Sequence, residues 1–144
     1  MEIVEIKTNS ELYERALDLR YALFFKEPCL PREILFDALE SSSRHFAVVG
    51  DGSLLAYGRL SDEGGKIFKI SQMVVQPNMQ GKGLGTKVLS KLIDTALELG
   101  AIEIYLNARL HAVSLYERLG FLKTSHTFVA KSTGVPHVKM VRDV

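Results

Sequence analysis

A single cysteine, Cys29, rules out any disulfide within the chain, which fits a reducing compartment and makes the cytoplasm the expected location. Charge of one sign is also missing: 18 lysines and arginines face 17 aspartates and glutamates, a formal net charge of +1. A protein that holds nucleic acid by neutralising phosphates shows a clear basic excess, so no nucleic-acid partner is expected. No uncharged apolar run approaches the roughly 20 residues that a membrane-spanning helix needs, so no membrane partner is expected either. The first residues, Met1-Glu2-Ile3-Val4-Glu5-Ile6-Lys7, alternate apolar and charged side chains. That is a strand pattern, without the basic stretch and apolar core of a signal peptide. Tryptophan is absent, as are internal repeats, low-complexity tracts and linkers. What remains is 47% hydrophobic and 24% charged over 144 residues. It suits one domain, residues 1–144, able to bury about two-thirds of its unfolded surface.

Periodicity then predicts the elements. Ile3 to Lys7 reads as a first strand. Asn9 or Ser10 caps a helix to about Lys26 with Leu12, Ala16, Leu19 and Leu23 as its apolar stripe. Pro28 and Pro31 interrupt the chain, and Pro31 suits the first turn of a second helix carrying Ile34, Leu35, Ala38 and Leu39. His45 to Val49 is a strand, Gly50-Asp51-Gly52 turns it into Leu54 to Leu60, and Glu63-Gly64-Gly65 turns that into Lys66 to Val75. Leu84, Val88, Leu89, Leu92, Ile93, Ala96 and Leu97 recur at helical spacing, with Gly100 as the expected C-cap. Ile102 to Leu106 is a strand, Ala112 to Leu119 a short helix, and Phe121 to Ala130 and His137 to Val141 two closing strands. The order β-α-α-β-β-β-α-β-α-β-β sets a strand–helix–strand unit inside a meander. A mixed α/β (α+β) sheet flanked by helices is expected, in place of a regular doubly wound fold.

The chemistry concentrates at Gln80-Gly81-Lys82-Gly83-Leu84-Gly85. A strand ends at Val75, Pro77 and Asn78 turn the chain, and three glycines at alternate positions open an amphipathic helix. Glycines permit positive φ and let backbone N–H groups approach a ligand closely. The helix N-terminus adds free donors and about half a positive charge. Together these suit a diphosphate, with Lys82 adding a full charge; a plain glycine-rich turn before a helix is the alternative. The dinucleotide fingerprint needs G-x-G-x-x-G, whereas the glycines here fall at 81, 83 and 85. The phosphate loop G-x-x-x-x-G-K-[S/T] fails at Gly85-Thr86-Lys87, which inverts the last pair.

The pattern that does fit is [Gln/Arg]-x-x-Gly-x-[Gly/Ala], as Gln80-x-x-Gly83-x-Gly85 after Ile70-Ser71-Gln72-Met73-Val74-Val75-Gln76-Pro77. It closely resembles the coenzyme A motif of the GNAT acyltransferase superfamily. Asn107-Ala108 and Tyr116-Glu117-Arg118-Leu119-Gly120-Phe121 resemble that family's second motif, so the likeness covers nearly the whole chain. Leu19-Arg20 with Leu23-Phe24 and Glu27, His111, and Gly134-Val135-Pro136-His137-x-x-Met140 are similar to the ElaA-like branch. That branch carries acidic residues where Lys131-Ser132-Thr133 stand here.

The resemblance implies an N-acetyltransferase that uses acetyl-CoA as co-substrate and no metal. Its acceptor is a primary amine of a small molecule or peptide, and self-association as a homodimer is left open. It also implies that Met73, Val74 and Val75 pair with the pantetheine arm as an added strand would, with the Val75 N–H near the thioester oxygen. The segment Gln80, Gly81, Lys82, Gly83, Leu84, Gly85 and Thr86 then holds the diphosphate, and Asn107 bonds the pantetheine amide. Core packing is the plain reading of Met73 to Val75, and a turn asparagine that of Asn107. Tyr116 is implied as the general acid toward sulfur, against the plain reading of a helix tyrosine packed on the core. The base stays open among His111, His137 and Glu27, because Lys69 stands where histone-type members carry a glutamate. The acceptor is expected between Glu27-Pro28-Cys29-Leu30 and Val135 to His137, with Glu27 or Asp37 receiving a cationic amine. An acyl-CoA-binding sensor module without turnover is the alternative function.

Overall fold

Alternation along the strands decides which face of the sheet each helix covers. β1 (Glu2–Ile6) pairs antiparallel with β2 (Arg44–Gly50), β2 with β3 (Ser53–Asp62), and β3 with β4 (Ile67–Val75). β4 runs parallel to β5 (Glu103–Arg109), which pairs antiparallel with β8 (Pro136–Asp143). β6 (Leu122–Lys123) and β7 (Phe128–Val129) are two-residue pieces, both antiparallel to β8. The sheet order is β1-β2-β3-β4-β5-β8-β6. This computed structural model describes residues 1–131 and 133–144.

Helix α2 (Leu84–Glu98) links β4 to β5 across one face. Its Leu84, Val88, Leu89, Leu92, Ile93 and Ala96 are buried with Phe46, Leu60, Ile70, Ile104 and Met140. Each such aliphatic side chain contributes about 1.5–3 kcal/mol relative to an exposed one. Gly100 at φ 86° ends the helix: its N–H donates to Leu97 O and the Ala101 N–H to Ala96 O, both 3.0 Å, the double-bonded left-handed cap. Helix α1 (Glu11–Phe24) starts at Ser10, whose Oγ accepts from Tyr13 N at 3.2 Å. It packs Tyr13, Ala16, Leu17 and Leu19 on the opposite face against Ala47, Leu54, Tyr57 and Val74. The short α3 (Val113–Arg118) carries Tyr116 into the α2-side core.

Two expectations need correction. The second helix is a single 3₁₀ turn, Arg32–Leu35, which the chain leaves at Phe36 with φ −95° and ψ 64°. Ionic contacts override the apolar spacing there: Asp37 and Glu40 are drawn onto Arg59 and Arg20, fixing 37–40 against the sheet. The closing strand Phe121 to Ala130 is broken into β6 and β7, because the Ser125 hydroxyl accepts from Lys139 N at 2.9 Å and takes over a ladder position.

One irregularity shapes the site. Tyr57 faces Val74 and Arg59 faces Ser71, so Gln72 and Met73 together oppose Gly58. Gln72 takes φ 58°. An extra residue of this kind bends the strand and increases its twist. A Cβ on Gly58 would lie 2.7 Å from each of Leu92 Cδ1, Met73 Sδ and Val88 Cγ1, so helix and bulge both close on this glycine. Gly58→Ala is expected to destabilise by about 1–3 kcal/mol through overpacking. A lowered urea midpoint reads this out, and an unchanged midpoint would contradict it.

Candidate active site

Parallel pairing between β4 and β5 is confined to Ile67–Glu103, Phe68–Ile104 and Lys69–Tyr105. Past Lys69, where the bulge turns β4, the strands part. Gln76 N donates to Leu55 O of β3 at 2.9 Å. Alternation therefore turns the N–H and C=O of Met73 and Val75 the other way, into the gap. Val74 is the exception among the three strand residues singled out in the sequence. Its backbone faces β3 opposite Tyr57, and its side chain is buried against α1.

The gap leads toward the start of α2. After a 3₁₀ turn at Pro77–Met79, Gln80, Gly81 and Lys82 run exposed into Gly83, the helix N-cap at φ 79° and ψ 10°. Gly81 also sits at φ 79°, and nothing lies within 4 Å of a Cβ built on either. Backbone conformation, not crowding, selects glycine at these two positions. Among the described residues no side chain caps the helix, so the N–H groups of Leu84, Gly85 and Thr86 have no side-chain acceptor there. Gly85 differs: it is helical, and a Cβ there would meet Leu115 Cδ2 at 3.6 Å and Val75 Cγ2 at 3.7 Å, ordinary contacts.

A cavity of about 350 Å³ opens where the strands part, floored by Lys69 to Met73 of β4 and by Asn107 and Arg109 of β5. Tyr116, 8% exposed, reaches it from α3. Among the described residues no buried side-chain polar atom lacks a partner, and the Tyr116 phenol bonds to none of them, so its oxygen opens to the cavity. Burial pushes this phenol up to about 12, against the opposing pull of the Arg109 charge. His137 lines the opposite wall, stacked on Phe128 with ring centroids 6.1 Å apart. Its Nδ1 lies 2.8 Å from Val135 O. A carbonyl only accepts, so Nδ1 carries a proton, and Nε2 bonds to no described residue. His111 lines the cavity from a 3₁₀ turn and is exposed. Glu27 is exposed and outside the cavity lining, while Asp37 is held by Arg59 at 3.0 and 3.1 Å. Neither carboxylate is placed to receive a cationic amine in the cavity.

Beneath the bulge lies an ionic cluster that the sequence reading did not assemble. Arg20, Glu40, Arg59 and His45 are each at most 3% exposed. Arg20 grips Glu40 with two bonds of 2.8 Å, and Arg59 Nη1 adds a third of 2.8 Å. Tyr13 Oη donates to the same carboxylate at 2.5 Å. Outward, Arg59 Nε donates to Ser71 Oγ at 2.9 Å and Arg20 Nε to Gln72 Oε1 at 3.4 Å. The cluster thus holds Ser71 and the bulge residue Gln72, both of which line the cavity. A signal was present: Arg20 stands on the buried side of α1 between Ala16 and Phe24, and Arg59 inside an apolar strand. A buried cation in such a place needs a carboxylate. Arg109 went unnoticed as well, although it continues the Tyr105, Asn107 alternation onto the cavity face.

Burial alone would raise the Glu40 carboxyl. The hydrogen bonds from Arg20 and Tyr13 and the Arg20 charge outweigh burial and bring it to about 2, from 4.5. A depressed carboxylate stabilises the fold above its unfolded value, and that stability is lost as pH falls through the folded value. About 3 kcal/mol is expected to disappear between roughly pH 4.5 and 2. Burial holds His45 neutral, with Glu40 and its carbonyl opposing, so its folded value is also lowered. Acid weakens the fold through this residue in the same direction. Glu40→Gln should lose about 3–5 kcal/mol at neutral pH by leaving two buried guanidiniums short of charge, and should flatten the acid limb. Urea unfolding from pH 7 to 3 measures both; an acid limb of unchanged size in the variant would contradict the assignment.

The chain belongs to the acetyltransferase (GNAT) family, whose model matches residues 9–121. It is 29% identical over 138 residues to the uncharacterized N-acetyltransferase YjcF of Bacillus subtilis (strain 168), covering 96% of this chain and 97% of that one. The fold is similar to that of Escherichia coli ElaA, with a TM-score of 0.84 at 23% identity over 99% of this chain and 100% of that one. It is also similar to a GNAT family acetyltransferase from Elizabethkingia anophelis with acetyl-CoA bound. That TM-score is 0.77 at 13% identity over 99% of this chain and 97% of the other.

Proposed function

We propose that residues 1–144 act as one acetyl-CoA-dependent N-acetyltransferase domain. It moves an acetyl group directly to a primary amine of a small molecule or peptide, in the cytoplasm. One observation carries this reading: the Met73 and Val75 backbone groups face a gap that runs from an uncapped helix N-terminus to a cavity with a phenol that bonds to no described residue. The donor set fits the co-substrate. An extended amide-bearing arm needs a free strand edge, and a diphosphate needs backbone N–H groups with positive charge. Met73 and Val75, with Asn107, would hold the arm. Gln80 to Thr86, with Lys82, would hold the diphosphate. The neighbouring fold with acetyl-CoA bound agrees with this reading.

When bound, acetyl-CoA supplies an activated acyl group, whose C–S bond breaks as the acceptor nitrogen forms a C–N bond. The Val75 N–H stabilises the charge on the acyl oxygen. His137 takes the amine proton at Nε2, the nitrogen its contact with Val135 leaves free. His111, exposed at the mouth, is the less constrained alternative. Tyr116 gives its proton to the departing sulfur. With the phenol near 12 and a thiol near about 8.5, this transfer is uphill, so Tyr116 acts through position and the nearby Arg109 charge.

Release of free thiol from acetyl-CoA across a panel of primary amines tests the proposal. Amine-dependent release is expected. Acetyl-CoA binding by calorimetry with no release for any amine would identify a sensor module, and absence of binding would remove both readings.

A further inference from the structure

The fixed charges lining the cavity, Lys69 and Arg109, are both positive. His111 and His137 lie beside them, and no aspartate or glutamate lines it. Arg109 stands out among them. It ends β5 directly opposite His137 on β8, and its Cζ lies 4.7 Å from the Phe24 ring centroid. His137 in turn stacks on Phe128. An aromatic, imidazole, guanidinium, aromatic row therefore forms one wall. The Arg109 guanidinium has no carboxylate within 4.0 Å among the described residues, whereas Arg15, Arg20, Arg32, Arg44 and Arg59 all have one; Arg118 and Arg142 also lack one but do not line the cavity. Burial lowers Arg109 from its ordinary value, the mark of a cation removed from water. A half-buried guanidinium with no counter-ion, open to a cavity, is a ready bidentate site for an oxyanion.

We propose that the acceptor is an amine that also carries a carboxylate or phosphate. Arg109 pairs with that group, Lys69 adds charge, and Phe24 and Phe128 flank the acceptor's body. This rests on the transferase reading and names its substrate class. The same positive charge disfavours a protonated amine, so the nucleophilic nitrogen is held in its reactive neutral form. Polyamines and other polycations are excluded by like charge.

Matched probes test this: phenylalanine against phenethylamine, glucosamine 6-phosphate against glucosamine, and 1,4-diaminobutane as the cationic counter-probe. Thiol release is measured with acetyl-CoA, and binding of each probe to the coenzyme A-saturated protein is measured by calorimetry. At least one anionic member should exceed its partner in kcat/KM by about tenfold to hundredfold, the range of a charge-assisted pair. Which pair responds distinguishes carboxylate from phosphate. Arg109→Met should bring that ratio close to one, chiefly through KM, and Arg109→Lys should keep part of it, with folding checked by thermal melting. A preference for the uncharged members or the diamine would overturn the proposal, as would a ratio that survives Arg109→Met. If no amine releases thiol, calorimetry decides separately. Binding of an anionic probe that Arg109→Met abolishes keeps the oxyanion site while the transferase reading falls; no binding of either anionic probe removes the site.

Discussion

Tyr116→Phe is expected to lower kcat by about 10²–10⁴-fold, the usual contribution of a positioned general acid, with little change in acetyl-CoA affinity. The substitution deletes one oxygen. The ring stays in the α2-side core against Phe121, at a centroid distance of 6.1 Å, and the hydroxyl bonds to no described residue, so no structural bond is lost. The split matters: a purely structural tyrosine would move stability and both kinetic constants together, while a proton donor moves kcat alone. Thermal melting beside steady-state kinetics reads the two. An unchanged rate with a good acceptor would mean that the sulfur obtains its proton elsewhere.

Gly83→Val is expected to weaken acetyl-CoA binding by about tenfold to hundredfold, the effect of losing a charge-assisted hydrogen bond to the anion. A β-branched residue at φ 79° is a strong backbone outlier. The turn must relax, and its N–H groups then no longer converge. Gly85→Ala is the informative comparison. Its methyl would meet Leu115 and Val75 at ordinary contact distance, and the helical backbone accepts alanine, so it should lose far less. Calorimetry on both variants, with circular dichroism as the folding check, separates them. A Gly83→Val protein that binds as tightly as the parent would show that the turn is only a turn.

Periodicity carried the fold wherever burial is continuous. The α2 stripe was readable because one face of it packs on a single core, and the β2–β4 meander because its strands are buried on both faces between turn residues. Glycine placement located the α2 N-terminus, and Tyr116 lies on a cavity wall. Reading failed where contacts distant in sequence overrule local preference. Ile34, Leu35, Ala38 and Leu39 have helical spacing, but Glu40 lies beside Arg20 and Arg59 in space and pulls the chain out of helix. The opening between β4 and β5 depends on Gln72, a residue not expected at positive φ, and its only trace in sequence is Gly58 on the neighbouring strand. The proposal of His137 over His111 and Glu27 draws on the contact of His137 with Val135 and on Glu27 lying outside the cavity lining, neither of which is visible in the sequence. Arg109 became conspicuous only once no carboxylate was found within 4.0 Å of it among the described residues and its guanidinium was seen to line the cavity.

The most direct measurement of the central claim is an acetyl-CoA titration of the isotope-labelled protein followed by backbone amide chemical shifts. The free-edge amides of Met73 and Val75 and the first-turn amides of Leu84, Gly85 and Thr86 should shift together and saturate at one dissociation constant. The Val74 amide, engaged with β3, should move less. Saturable binding that leaves Met73, Val75 and the α2 first turn unmoved would contradict the account.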